Sequence, residues 1–143
     1  MVNKKISIIT PVKNERSNLP SLVESVKNQS LQPHQWVIVN DNSTDGTGDY
    51  IKEASKQISY VKDLHRSGEQ EYDIGKHYAQ VLRDGYHHIR EHNSKSDYYM
   101  ILDGDMSLTP NYIEELTDYL ETNQSIGIAS GGIYVDRGDG LEL

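Results

Sequence analysis

The 143-residue sequence contains no cysteine, which excludes a disulfide framework, a thiolate metal centre and a thiol nucleophile and points to a reducing, cytoplasmic setting. Long apolar runs are also missing: none approaches the about 20 residues that cross a bilayer. The basic start Met1-Val2-Asn3-Lys4-Lys5 leads only into a short apolar stretch closed by Thr10-Pro11, so it reads as a strand and not a signal peptide. Membrane association would then rest on a segment outside this chain or on a lipid acceptor. Basic clusters are lacking too. The 14 Lys and Arg are scattered among 22 Asp and Glu, for a net charge of −8, which argues against a nucleic-acid partner held through its phosphates. A nucleotide is still admissible if a metal ion supplies positive charge. Neither Gly-x-x-x-x-Gly-Lys-Ser/Thr nor Gly-x-Gly-x-x-Gly occurs, and there is no nucleophile elbow, heptad run, repeat or low-complexity linker.

What is present is a regular spacing of Ile, Leu and Val with 10 Tyr, enough for one folded domain although the hydrophobic fraction is only 35%. Residues 6–10 are β-branched and nearly continuous in apolar character, as a strand buried on both faces would be. Leu19, Leu22, Val23 and Val26 recur at helical spacing behind Ser17 or Asn18 as N-cap, predicting a helix that runs to Gln29. Trp36-Val37-Ile38-Val39 is a second buried strand. A polar loop follows, then a helix over residues 47–57 with Tyr50, Ile51 and Ala54 inward, and a third strand over 58–61. Residues 64–73 read as a mobile loop over a site, and 74–92 as a helix with Ala79, Leu82, Tyr86 and Ile89 on its inner face. A fourth strand is expected over 98–102. Thr109-Pro110 is read as N-cap and first helical residue of a helix burying Ile113, Leu116 and Leu120. Further strands are expected at 126–129 and 133–135.

Strands alternating with helices imply right-handed crossovers and a mainly parallel sheet flanked by helices, with ligands at the carboxyl ends of the strands. The loops after strands one, two and four all begin there and should converge. Residues 1–137 are taken as the domain and 138–143 as a tail, its Leu141-Glu142-Leu143 end a candidate for residues added in cloning.

The strongest motif is Asp103-Gly104-Asp105, an Asp-x-Asp at the end of the run Tyr98-Tyr99-Met100-Ile101-Leu102. Two anions one residue apart repel unless a cation or hydrogen-bond donors compensate, and oxygen ligands suit Mg²⁺ or Mn²⁺, which leave positions for water and phosphate. A helix-capping turn is the plainer alternative. Asp41, among Asn40, Asn42, Ser43 and Asp45, is placed either to accept from the N–H groups of a base or to stabilise its own loop. His88 and His92 stand four apart and read more readily as a polar helix face than as zinc ligands.

Taken in order, Ile8-Ile9-Thr10-Pro11-Val12-Lys13-Asn14-Glu15, Val37-Ile38-Val39-Asn40-Asp41-Asn42-Ser43-Thr44-Asp45-Gly46-Thr47 and Ile101-Leu102-Asp103-Gly104-Asp105 resemble the family 2 glycosyltransferases of the GT-A fold. Gly75-Lys76 with Ala79 and Gly85 is similar to a segment of members like dolichol-phosphate mannose synthase. The resemblance implies a Rossmann-like nucleotide-binding half and transfer, with inversion, of a sugar from a UDP-, GDP- or dTDP-type donor. It implies that Pro11, Lys13 and Glu15 lie around the base and ribose, that Asp41 accepts from the base, and that Lys76 assists at the donor. Asp103 would approach the ribose or diphosphate and, with Asp105, hold the Mn²⁺ or Mg²⁺ that bridges the diphosphate.

Two departures stand out. Asn40 occupies a position where many relatives carry Asp, which should weaken polar coupling in that loop. The general base and acceptor-binding segments belong to a C-terminal half that the resemblance places beyond this chain, so it would be the donor-binding part. The acceptor is not legible, and a lost half would expose an apolar edge open to self-association. A non-catalytic nucleotide-binding module is the alternative. A sugar-nucleotide pyrophosphorylase fits less well, since Pro11-Val12-Lys13-Asn14-Glu15 stands where such enzymes carry a glycine-rich loop.

Overall fold

The computed structural model describes residues 4–68, 73–92, 95–136 and 141–142. Four strands, β1 (Ile6–Val12), β2 (Gln35–Asp41), β3 (Val61–Arg66) and β4 (Tyr98–Ile101), form a parallel sheet in the order β3-β2-β1-β4. The helices are α1 (Leu19–Lys27), α2 (Thr47–Gln57), α3 (Ile74–Glu91) and α4 (Tyr112–Thr122). A two-residue antiparallel ladder, β5 (Val135–Asp136) with β6 (Leu141–Glu142), stands apart from the sheet. Among the described residues no helix is long and apolar enough to cross a membrane.

The central strands β1 and β2 are mostly apolar and almost wholly buried because both faces are covered. Ile6, Ile8, Val12, Trp36 and Ile38 pack with Leu19, Leu22 and Val26 of α1, Ile51 of α2 and Ile113 of α4. On the opposite face Ile9, Val37 and Val39 meet Val81 and Ile89 of α3. Thr10, buried in β1, is satisfied by accepting from Trp36 Nε1 at 2.8 Å, so the large indole adds volume to the core without leaving a polar atom unpaired. Gly85 lets α3 come down on the sheet. A Cβ there would lie 2.7 Å from Ile9 Cγ2 and 3.0 Å from Val39 Cγ2.

Several expectations need correction. The third strand is Val61–Arg66, not 58–61, and the supposed mobile loop therefore begins as strand; residues 69–72 lie outside the described part. β3 is an edge strand with Lys62, Asp63 and His65 exposed, so its sequence lacks the apolar run that marks β1 and β2. The inner stripe of α3 is Val81, Gly85 and Ile89 with Leu82 packed beside them; of the four expected residues Leu82 and Ile89 face inward, and Ala79 and Tyr86 are exposed. α1 stops at Lys27, and its N-cap Asn18 makes no capping bond but donates from Nδ2 to Glu15 Oε2 at 2.7 Å. Asn111, not Thr109, is the N-cap of α4; the Thr109 carbonyl accepts from both Gln29 Nε2 and the Tyr112 N–H, and the Pro110 carbonyl from the Ser30 N–H, which ties this turn to the end of α1. No strand forms at 126–129, and the ladder at Val135–Asp136 takes Leu141–Glu142 as its partner.

Candidate functional site at the strand ends

The loops after β1 and β2 are clasped together by reciprocal hydrogen bonds. The Asn14 N–H donates to Ser43 Oγ at 3.0 Å, and the Thr44 N–H donates to Asn14 Oδ1 at 2.9 Å. Asn14 and Asn42 hold left-handed backbone, at φ 57° and 54°, which Asn tolerates better than most residues. The Glu15 N–H donates to Thr47 Oγ1 at 2.9 Å, and the Arg16 N–H to Asp45 Oδ2 at 3.1 Å, so the N-terminal turn of α2 is tied to the same loop. Asn40 is buried and contributes to this framework. Its Oδ1 accepts from the Ser43 N–H at 3.1 Å and its Nδ2 lies 3.2 Å from His65 Nδ1. A neutral amide at this position thus both donates and accepts within the loop framework.

Asp41 ends β2 directly beside Arg66, which ends β3. Arg66 Nη1 donates to Asp41 Oδ1 at 2.9 Å while its Nε donates to Asp84 Oδ2 at 2.7 Å, joining the sheet to α3 through one guanidinium. His77 Nε2 donates to the other carboxylate oxygen, Asp41 Oδ2, at 2.6 Å. Burial acts to raise the Asp41 pKa, but the His77 hydrogen bond and the charges of His77, Arg66 and Lys13 outweigh it and hold the carboxyl below its ordinary value. Asp41 is therefore an ionised acceptor at neutral pH, 13% exposed and fixed from two sides.

The loop after β4 is seated against the loop after β1. Gly104 is buried so closely that a Cβ would lie 2.8 Å from Val12 Cγ1 and 3.0 Å from Glu15 Cγ, and the Leu102 N–H donates to the Ile9 carbonyl at 3.1 Å. Asp103 and Asp105 flank this glycine and face solvent. Tyr78 donates its hydroxyl to Asp103 Oδ1 at 3.1 Å. Among the described residues no three His, Cys, Asp or Glu are grouped to hold an ion by themselves. That donor set fits Mg²⁺ or Mn²⁺ arriving with a ligand, since Mg²⁺ is commonly held by one or two carboxylates and completed by substrate phosphates and water.

The three loops expected to converge are in contact. Pro11 is half-buried in β1, opposite Val39; Lys13 is exposed and near enough for its charge to act on Asp41; Glu15 is half-buried between Asn18 and Gly104. Lys76 is exposed on the first turn of α3, its backbone N–H bonded to the N-cap Asp73. Sequence reasoning missed Arg66, His77 and Tyr78, which hold Asp41 and Asp103. A strand placed at 61–66 would have put Arg66 level with Asp41, and His77 adjoins the Gly75-Lys76 pair that had been singled out.

The fold is that of the GT-A glycosyltransferases. The chain superposes on S. aureus TarS residues 1-349 in complex with UDP-GlcNAc, with a TM-score of 0.63 and 20% identity, covering 84% of this chain and 32% of that one. It superposes likewise on the mannosyltransferase PcManGT from Pyrobaculum calidifontis in complex with GDP-Man and Mn²⁺, with a TM-score of 0.67 and 16% identity, covering 82% of this chain and 32% of that one. The sequence narrows the class. Residues 7–79 match the model of Glycosyl transferase family 2, and the chain belongs to that family. It is 28% identical over 131 residues to the undecaprenyl-phosphate 4-deoxy-4-formamido-L-arabinose transferase of Serratia proteamaculans, covering 86% of this chain and 36% of the relative. It is 29% identical over 128 residues to the dolichol-phosphate mannosyltransferase of Pyrococcus furiosus, covering 88% of this chain and 33% of the relative. The chain thus spans about a third of the length of these curated relatives.

Proposed function

We propose that this chain is the donor-binding part of a metal-dependent, inverting glycosyltransferase that takes its sugar from a nucleoside diphosphate. The observation that carries the reading is the convergence of carboxylates on the loop after β1. Asp41 ends β2, Asp103 and Asp105 follow β4, and the first turns of α3 bond to both groups through His77 and Tyr78. Residues 1–137 form the nucleotide-sugar domain in this reading, and 138–143 a tail.

Each carboxylate has a separate task. Asp41, ionised and fixed by Arg66 and His77, accepts from the base, with Pro11, Lys13 and Glu15 around the base and ribose. Asp103, oriented by Tyr78, and Asp105 hold Mg²⁺ or Mn²⁺ beside the diphosphate, and Lys76 adds positive charge at the donor. When bound, the ion acts as a Lewis acid for the charge that develops on the departing diphosphate. The protein's share is to hold the diphosphate in one orientation, so that an acceptor hydroxyl attacks the anomeric carbon from the opposite side. That attack requires a general base, to which no residue described here is assigned.

Titration calorimetry with UDP, GDP and dTDP, in Mg²⁺ and in EDTA, tests the site. One or more nucleotides should bind, more tightly with the ion, and Asp105→Ala should remove the ion-dependent part. Equal affinity in chelator would refute the metal role; no binding by any nucleotide would refute the site.

A further inference from the structure

We propose that Asp84 is a positioning residue for the nucleotide: through Arg66 it fixes the carboxylate of Asp41, so that donor affinity depends on a side chain bonded to Arg66 and not to Asp41 itself. This rests on the reading of Asp41 as a nucleotide contact and adds the residue on which that contact depends.

Asp41 belongs to a ring of polar contacts that begins and ends on α3. Asp84 Oδ2 accepts from Arg66 Nε at 2.7 Å, Arg66 Nη1 donates to Asp41 Oδ1 at 2.9 Å, and His77 Nε2 donates to Asp41 Oδ2 at 2.6 Å. His77 and Asp84 are separated by about two helical turns and so stand on one side of the helix. The parallel register that sets Arg66 beside Asp41 brings the middle of the ring within reach of both.

The two arms of the ring do not hold equally. His77 Nδ1 is buried and has no hydrogen-bond partner among the described residues, so the orientation of that imidazole rests on one bond and on packing. Arg66 is tied at two nitrogens, one to each carboxylate, by charge-assisted bonds. Its side chain is only 21% exposed, which shields these contacts from the screening that weakens surface pairs. An arginine has many rotamers to lose, and one bond to Asp41 does not choose among them. The bond from Nε to Asp84 makes that choice. Without it the guanidinium is free to leave Oδ1, or to turn both terminal nitrogens onto Asp41 and fill acceptor positions that an incoming N–H group needs. Both arrangements weaken the nucleotide contact.

Calorimetry on the 143-residue chain in Mg²⁺, with whichever of UDP, GDP and dTDP binds the wild type most tightly, tests the assignment. Asp84→Ala should weaken binding about tenfold, within the coupling found for residues of one hydrogen-bond network. Asp84→Asn keeps an oxygen that can accept from Arg66 Nε and should recover most of that loss. A double-mutant cycle separates positioning from a general loosening of the fold. In an Arg66→Met background, which leaves Asp84 nothing to act through, Asp84→Ala should change affinity by no more than about twofold. These affinities belong to the folded molecules, since misfolding lowers the measured stoichiometry instead. Wild-type affinity in Asp84→Ala, an Asp84→Asn variant no better than Asp84→Ala, or losses that multiply in the double variant would overturn the role of Asp84 and leave the nucleotide site standing. Failure of the wild type to bind any of the three nucleotides would overturn both.

Discussion

His77 and Tyr78, consecutive on the first turns of α3, bond to carboxylates at the ends of two different strands: His77 Nε2 to Asp41, the last residue of β2, and the Tyr78 hydroxyl to Asp103 just beyond β4. Neighbouring side chains on an α-helix diverge by about 100°, so a helix lying over the strand ends can reach to both sides. The position of α3 thus links the proposed base contact to the proposed metal ligands. That position is fixed by how closely the helix approaches β1 and β2.

Gly85 sets that approach, and Gly85→Ala should loosen it. Alanine improves helix propensity by about 0.5–1 kcal/mol, but its Cβ meets Ile9 and Val39, buried strand residues with little room to shift. Overpacking of this kind costs about 1–3 kcal/mol. We expect a net loss of about 1 kcal/mol, within a range of about 0–2.5, in urea unfolding, with weaker nucleotide binding by the folded variant. A stabilised variant would show that α3 can move without cost.

Asn14 tests the clasp between the first two loops. Its φ of 57° suits glycine, while its side chain accepts the Thr44 N–H. Asn14→Gly loses only the exposed bond, and water can replace it; Asn14→Ala also forces a Cβ-bearing residue into the left-handed region, at about 1–2 kcal/mol. Denaturant unfolding should therefore rank Asn14→Ala as less stable than Asn14→Gly. The reverse order would mean that the loop gives up its left-handed turn freely.

The central half of the fold was legible because β1 and β2 are buried on both faces and their sequences show it directly. The edges were not. β3 alternates with solvent, so Leu64-His65-Arg66 looked like loop, and the level pairing of Arg66 with Asp41 is a long-range fact that no local pattern carries. The inner stripe of α3 was half legible: Leu82 and Ile89 pack against the sheet as expected, but Ala79 and Tyr86 do not, and the closest contact is Gly85, which has no hydrophobicity to register. The carboxylates of the candidate site stood out as motifs, but the groups that orient them, Arg66, His77 and Tyr78, lie on elements whose placement depends on the assembled sheet.

Gly104→Ala separates site geometry from stability. The new Cβ would press on Val12 and Glu15 and push the Asp103-Gly104-Asp105 turn off the β1 loop, displacing both carboxylates together. Small displacements of positioning groups are costly, of order 100-fold in rate for about 1 Å. Nucleotide affinity in Mg²⁺ should fall about tenfold or more, by the same reasoning. Affinity in EDTA should change much less. Equal losses with and without the ion would place the effect on the base end of the site.

Asp41 gives the acid limb of stability a specific cause. Its pKa is lowered in the folded protein, against an ordinary value of 3.8, because the His77 bond and the neighbouring positive charges outweigh burial. The unfolded chain therefore takes up this proton at higher pH than the native state. The stabilisation it supplies is complete above about pH 4 and is lost as pH falls through the lower native value. Asp41→Asn removes that proton linkage while nearly preserving shape. In thermal melts from about pH 5 down to about pH 3, a range chosen to span the unfolded Asp value, the stability gap between wild type and variant should hold steady and then narrow. The other carboxylates titrate in both proteins and cancel in the difference. A gap that stayed constant to the acid end would show that the proton taken up by Asp41 does not contribute to acid unfolding, and that Arg66 and His77 hold the carboxyl no more firmly than water does.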